Sequence, residues 1–171
     1  WVADTSLKCK ISAGVGVAHS AIASVGVQVG TYAASFSFLP PTLSSLETVE
    51  LATTGADTIT LHGSDLGTVQ YTQRARLGPT ACEASVWVAD TSLKCKISAG
   101  VGVGHSAIAS VGVQVGTYAS SFTFLPPTLS SLETVTLATT GADTITLHGK
   151  DLGMVQYTQR ARLGPTACEA S

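Results

Sequence analysis

The sequence predicts an all-β fold, a string of small β-sandwiches, on three observations. Apolar and polar residues alternate in short runs; Gly, Pro and Asp punctuate these runs roughly every 8–12 residues; and the whole pattern returns after 86 residues. No stretch combines the 3.6-residue periodicity of an amphipathic helix with helix caps.

Taken in order through one period, Thr58–His62 alternates strictly and reads as a strand with one buried face. Gly63–Gly67 is a turn signal after it, as Thr54 and Gly55 are before it. Gln70–Arg76 reads as an exposed strand with polar residues outward, its arginines available to a neighbour's carboxylates, and Leu77–Pro79 reads as the next turn. Leu93–Ile97 and Ser110–Val115 alternate as strands, separated by the glycine-rich turn Ala99–Gly102. Thr117–Phe124 ends on alternating aromatics, Phe122 and Phe124.

Shifted by 86, residues 1–85 match residues 87–171 except at Ala18/Gly104, Ala34/Ser120, Ser37/Thr123, Glu50/Thr136, Ser64/Lys150 and Thr68/Met154. Copies this alike have not diverged into separate roles. The period is too long for a solenoid unit and suits a small domain. Adjacent prolines give no ladder donors and stiffen the chain, which places a linker at Leu39–Thr42 and again at Leu125–Thr128. Residues 40–125 are therefore expected to be one complete domain. Residues 1–39 are expected to be the C-terminal part of a preceding domain, and residues 126–171 the N-terminal part of a following one.

Composition narrows the function classes. Hydrophobic residues are 44% of the chain and charged residues 12%, half the usual charged share of about 25%. Ser and Thr number 42 of 171 residues, and Asn is absent, so no Asn-x-Ser/Thr acceptor exists. The net charge is −2 with scattered basic residues, which disfavours a nucleic-acid partner. Ala13–Gly30, the most apolar stretch, carries His19, Gln28 and glycines and alternates like a strand, so no membrane span is expected.

Across the period the residues fall into a recognisable order. Pro41, Thr42 and Leu43 open it; Gly63, Leu66 and Gly67 form a turn; Cys82 follows; then come Trp87, Asp90–Leu93 and Cys95, the run Ala99–Gly102, and finally Gly116, Thr117, Phe122 and Phe124. This order resembles the IPT/TIG domain family, whose fold is immunoglobulin-like, and the resemblance spans the whole period. It implies an all-β protein of tandem immunoglobulin-like (IPT/TIG) β-sandwiches. Members of the family include plexin-type receptor ectodomains, Rel-type transcription factors and modules of large surface proteins. The basic loops of the DNA-binding members have no counterpart here.

Cysteine spacing by itself leaves a disulfide, a metal site and a buried thiol pair open, although 13 and 73 residues with no Cys-x-x-Cys do not suit zinc. The resemblance implies a disulfide between Cys82 and Cys95, joining neighbouring strands around Trp87, which it casts as a core residue; a sugar-binding tryptophan is the alternative. Cys9 and Cys168 occupy the equivalent positions in the two partial domains and are expected to pair with neighbouring copies. A seven-stranded sandwich puts its termini at opposite poles, so the two partial domains cannot complete one another within one chain. Disulfides imply an oxidising compartment, hence an extracellular or cell-surface location.

Chemistry is sparse. His19, His62, His105 and His148 are two repeated singles, and no nucleophile–base or paired-carboxylate arrangement stands out, so neither catalysis nor a cofactor is expected. Gly14–Gly16 and Gly100–Gly104 lack the Lys-Ser/Thr and the helix of a phosphate cradle. Asp57, Asp65 and Glu83 are too dispersed to predict a calcium site. With so few charges, covalent O-linked glycans would supply solubility, and the candidate carriers are Pro40, Pro41, Thr42, Ser44, Ser45, Thr53, Thr54, Pro126, Pro127 and Thr128. The plain alternative is that Thr is simply a good strand residue.

The expected function is that of a structural extracellular filament or surface array, assembled head to tail from these repeats. Its partner is itself, as a homopolymer of separate chains or as one longer polypeptide. The competing expectation is an adhesion or receptor ectodomain whose modules bind protein or glycan.

Overall fold

A computed structural model describes residues 3–133, 136–141, 143–155 and 159–168. Two strands, β1 (His19–Val25) and β2 (Gln28–Phe36), form an N-terminal hairpin. The central unit contains β3 (Thr42–Leu46), β4 (Glu50–Leu51), β5 (Thr58–Ser64), β6 (Arg74–Leu77), β7 (Thr80–Ala81), β8 (Ala84–Ala89), β9 (Ser92–Lys96), β10 (His105–Val111) and β11 (Gln114–Phe124). β12 (Thr128–Leu132), β13 (Leu147–Lys150), β14 (Arg162–Leu163) and β15 (Thr166–Ala167) follow. The described residues are thus all-β.

The central unit is a two-layer sandwich. One sheet has the order β3-β5-β9-β8 and the other β4-β11-β10-β6-β7. Every pairing is antiparallel except β4 with β11. Period-2 alternation turns one face of each strand inward. Leu43, Ile59, Leu61, Leu93 and Cys95 meet Leu51, Ala75, Leu77, Ala107, Ala109, Val111, Phe122 and Phe124 in one core, closed by Leu66 and Ile97. Each large aliphatic side chain buried there stabilises the fold by roughly 1.5–3 kcal/mol.

Three parts of the sequence-based expectation change. Ser110–Val115 is not one strand: a two-residue turn at Gly112 and Val113 divides it into β10 and β11. Gly112 takes φ 58°, the positive value that a tight hairpin requires at its first central residue and that only glycine adopts without cost. Gln70–Arg76 is strand only from Arg74; before it the chain is a loop wound around the buried Gln73. Gln73 Nε2 donates to the carbonyls of Leu66 (2.9 Å) and Val69 (2.8 Å), and its Oε1 accepts from the Tyr71 amide at 2.8 Å. Third, the expected seven strands become nine, because the chain after β3 crosses to the other sheet as the short β4, and β6 doubles back as β7. The termini of the sandwich still lie at opposite ends.

Cys82 and Cys95 form a disulfide, with Cα atoms 5.5 Å apart. Its placement differs from a bond between neighbouring strands. Cys82 still belongs to the β6–β7 ladder, its amide donating to Ala75 O at 3.1 Å. Cys95 lies in β9 of the opposite sheet. The bond therefore staples layer to layer where the chain leaves one sheet for the other. Beside it, Lys96 pairs with Glu83 at 2.7 Å.

The Gly-x-x-Leu-Gly turn is held by the β8–β9 hairpin. Trp87 Nε1 donates to Gly67 O at 2.9 Å, the Gly67 amide donates to Asp90 Oδ1 at 2.9 Å, and the Leu66 amide to Asp90 O at 3.0 Å. Trp87 is half-buried and packs on the core, which agrees with its core role. Its indole N–H, like that of most partly buried tryptophans, is satisfied by a carbonyl.

Two stability measurements follow. Replacing Cys82 and Cys95 together by Ala is expected to cost the central sandwich about 3 kcal/mol, the closure entropy of a loop of this size; a urea titration showing under about 1 kcal/mol contradicts the staple. Trp87→Phe keeps most of the ring and removes one donor, for an expected loss of about 1 kcal/mol in the same titration.

Candidate functional site: polar clasps at the two poles

β11 spans the sandwich from Gln114 to Phe124, 11 residues, or about 33 Å at the usual strand rise. The flanking segments meet the central unit at the two ends of that distance. At the entry pole, the turn between β10 and β11 presents Gln114, which is 7% exposed. Gln114 Oε1 accepts from the Gly16 amide at 2.9 Å, and its Nε2 donates to Phe38 O at 2.7 Å. One side-chain amide thus uses both its polar ends on the backbone of the preceding segment. Gly16 and Phe38 are themselves joined, the Phe38 amide donating to Gly16 O at 2.9 Å. The buried Pro41 enters the sandwich at the same pole. Its carbonyl oxygen sits so close to Gly116 that a Cβ there would overlap it.

At the exit pole the clasp comes from the following segment. Asp151 Oδ1 accepts from the Thr53 amide (3.1 Å) and from Thr53 Oγ1 (3.3 Å). Thr53 is buried and its carbonyl accepts from the Gly100 amide at 3.1 Å. A shallow cleft of about 490 Å³ runs along this contact, between Ala52–Thr54 and Gly149–Gly153.

The glycine-rich turns serve packing. His105 lies against Phe122 and Phe124, with centroids 5.4 and 5.8 Å away, and its Nε2 donates to Val101 O at 3.0 Å. His19 repeats this arrangement with Phe36, Phe38 and Val15 O. Gly102 has φ 110°, and a Cβ there would lie 2.6 Å from His105 Nε2. His62 is exposed on β5, and His148 is exposed on β13. Asp57, Asp65 and Glu83 are not brought together: Asp65 accepts from Ser64 Oγ, and Glu83 is paired with Lys96. Among the described residues no three His, Cys, Asp or Glu side chains cluster as metal ligands, and no helix is long and apolar enough to cross a membrane.

Cys9 and Cys168 are unpaired within the chain. Of the candidate glycan carriers, Pro40, Thr42, Ser44, Ser45, Thr54, Pro126, Pro127 and Thr128 are exposed. Pro41 and Thr53 are buried, which removes both as carriers in the folded protein. Gln114 and Thr53 were not legible as contact residues. The one available signal was the single amide in an otherwise apolar Val-Gly-Val-Gln-Val run.

A family model for the IPT/TIG domain matches residues 41–124, the span of the central sandwich. No curated protein matches the chain. Among solved structures, a Bacteroides thetaiotaomicron VPI-5482 protein of unknown function is similar at 16% identity and TM-score 0.44, covering 54% of this chain and 24% of that one. The full extracellular region of plexin A4 is similar at 16% identity and TM-score 0.45, covering 63% of this chain and 9% of that one. The chain therefore spans under a quarter of the length of these structures. The family pattern is matched from Pro41 to Phe124 across both layers described above, and this central sandwich is an IPT/TIG domain.

Proposed function

We propose that this protein is a non-enzymatic, extracellular or surface-exposed structural module that associates end to end, each partial sandwich being completed by a further repeat, in another copy or in a continuation of the same polypeptide. The supporting observation is that identical residues are buried in the central unit and exposed in the flanks. Val111 is 1% exposed and its counterpart Val25 79%; Phe122 is 2% and Phe36 38%; Leu51 is 2% and Leu137 42%; Leu66 is 0% and Leu152 40%. Apolar surface of this kind is driven to find a matching face. The central unit supplies the template, because residues 40–85 and 87–125 pack there as the two parts of one core, and segments 126–171 and 1–39 repeat them almost residue for residue.

Segments 1–39 and 126–171 cannot close this contact on each other. They meet the central sandwich at opposite poles, the length of β11 apart. Completion by further repeats, one at each pole, is heterologous and open-ended, which is a filament. Cys9 of one copy and Cys168 of the next are then equivalent to Cys95 and Cys82, and bond in an oxidising setting. The Cys82–Cys95 staple supports that setting. Exposed hydroxyls at Thr42, Ser44, Ser45 and Thr54 carry glycans on the thread. The second reading, an adhesion or receptor ectodomain, is favoured by the IPT/TIG match alone.

Sedimentation velocity over a dilution series, with negative-stain microscopy, tests the reading. Threads that lengthen with concentration are expected, with a ladder of covalent multimers on a non-reducing gel that collapses on reduction. Discrete monomers at every concentration overturn it. Peptide mass spectrometry of natively expressed material across residues 40–55 is expected to show hexose-spaced additions; unmodified peptides throughout remove the glycans.

A further inference from the structure

The two clasps are different halves of one repeating joint, and the 86-residue shift says where the missing halves lie. At the entry pole the central unit offers Gln114 to a Gly16 amide and a Phe38 carbonyl. At the exit pole it offers Thr53 to Asp151. Shifted by one period, Gly16 and Phe38 become Gly102 and Phe124, on the same pole as Thr53; Asp151 becomes Asp65, on the same pole as Gln114. That each pair shares a pole is independent of the shift. The Gly100 amide bonds Thr53 O and the Phe124 amide bonds Gly102 O, while Asp65 follows the Ser64 that bonds Thr42 beside Pro41 and Gly116.

Resting on the end-to-end association above, we infer that each joint carries both clasps and that two of them run between molecules. Where segment 1–39 of one copy is completed by segment 126–171 of a second, Gln28 of the first seats on the Gly102 amide and Phe124 carbonyl of the second. Asp65 of the first accepts from the Thr139 amide and hydroxyl of the second. The partner these groups fit is therefore another copy of this chain, held in one orientation.

The receiving groups are preformed. Gly102 has φ 110° and Gly16 φ 107°, and each accepts the same 2.9 Å bond from its phenylalanine amide. Asp65 and Asp151 share φ 58°. Ser64 Oγ donates to Asp65 Oδ2 at 3.1 Å, which leaves Oδ1, the oxygen that Asp151 uses. Exposure follows occupancy at three of the five paired positions; Asp65 and Asp151 are both half-buried, and Phe124 is more buried than Phe38. Gly16, Gln114 and Thr53 are buried in their clasps, whereas Gly102, Gln28 and Thr139, the same groups without a partner copy, are exposed.

Each clasp adds two hydrogen bonds to the association, so Gln28→Ala and Asp65→Gly are each expected to weaken it about tenfold. Glycine is chosen at 65 because it keeps the positive φ. Full-length wild type and both variants are compared by sedimentation across a dilution series, with circular dichroism verifying that each variant retains the β fold of the wild type. Weakening in both variants supports the two clasps. Wild-type assembly that both variants reproduce at equal affinity overturns the clasps and leaves end-to-end association standing. A wild type that stays monomeric at all concentrations overturns both.

Discussion

Neither layer of an IPT/TIG sandwich is stable without the other. A sheet with alternating residues has one apolar face, and water tolerates that face poorly. In the central unit the debt is settled within 84 residues, where Leu61, Leu93 and Cys95 of one layer lie against Ala107, Ala109 and Phe122 of the other with essentially no exposure. The β1–β2 hairpin has the same pairing register as β10–β11, down to the irregularity at its first histidine. Local sequence therefore suffices to form the hairpin. It does not suffice to bury it: Val25 and Phe36 of the hairpin stay exposed where Val111 and Phe122 of the central unit are buried.

The disulfide and the tryptophan act on the same constraint from inside. A small sandwich buries a modest fraction of its surface and has little stability to spare. Cys82–Cys95 links the layers at the crossing where the chain leaves one sheet, and Trp87 and Asp90 fasten the turn at Gly67 that covers the end of the core. These contacts lie within the complete unit. At the poles the contacts to the flanking segments are polar, Gln114 with Gly16 and Phe38 and Asp151 with Thr53, directional in geometry and small in net contribution.

The strand alternation and the turn chemistry were sufficient to read the fold class and the place of strands such as Thr58–His62 and Leu93–Ile97. They depend on short-range rules: side chains alternate along any strand, and Gly, Pro and Asp favour turns wherever they occur. The errors were equally local in origin. Ser110–Val115 alternates whether or not a hairpin turn interrupts it, and periodicity carries no sign of φ at Gly112. Gln70–Gln73 looked outward-facing because it is polar, yet Gln73 is buried with three hydrogen bonds that repay its desolvation.

What the sequence determined alone is the 86-residue repeat and what recurs with it: the same run of alternating segments and turn residues, with cysteines in equivalent places. What only the tertiary structure decided is which copies of a residue are inside. Val25 and Val111, or Thr53 and Thr139, are the same residue in the same local context, and they differ in burial because one has a neighbouring layer or pole and the other does not. Burial is a property of what surrounds a residue in space. A linear pattern states which face seeks cover, and only the folded arrangement states whether cover has been found.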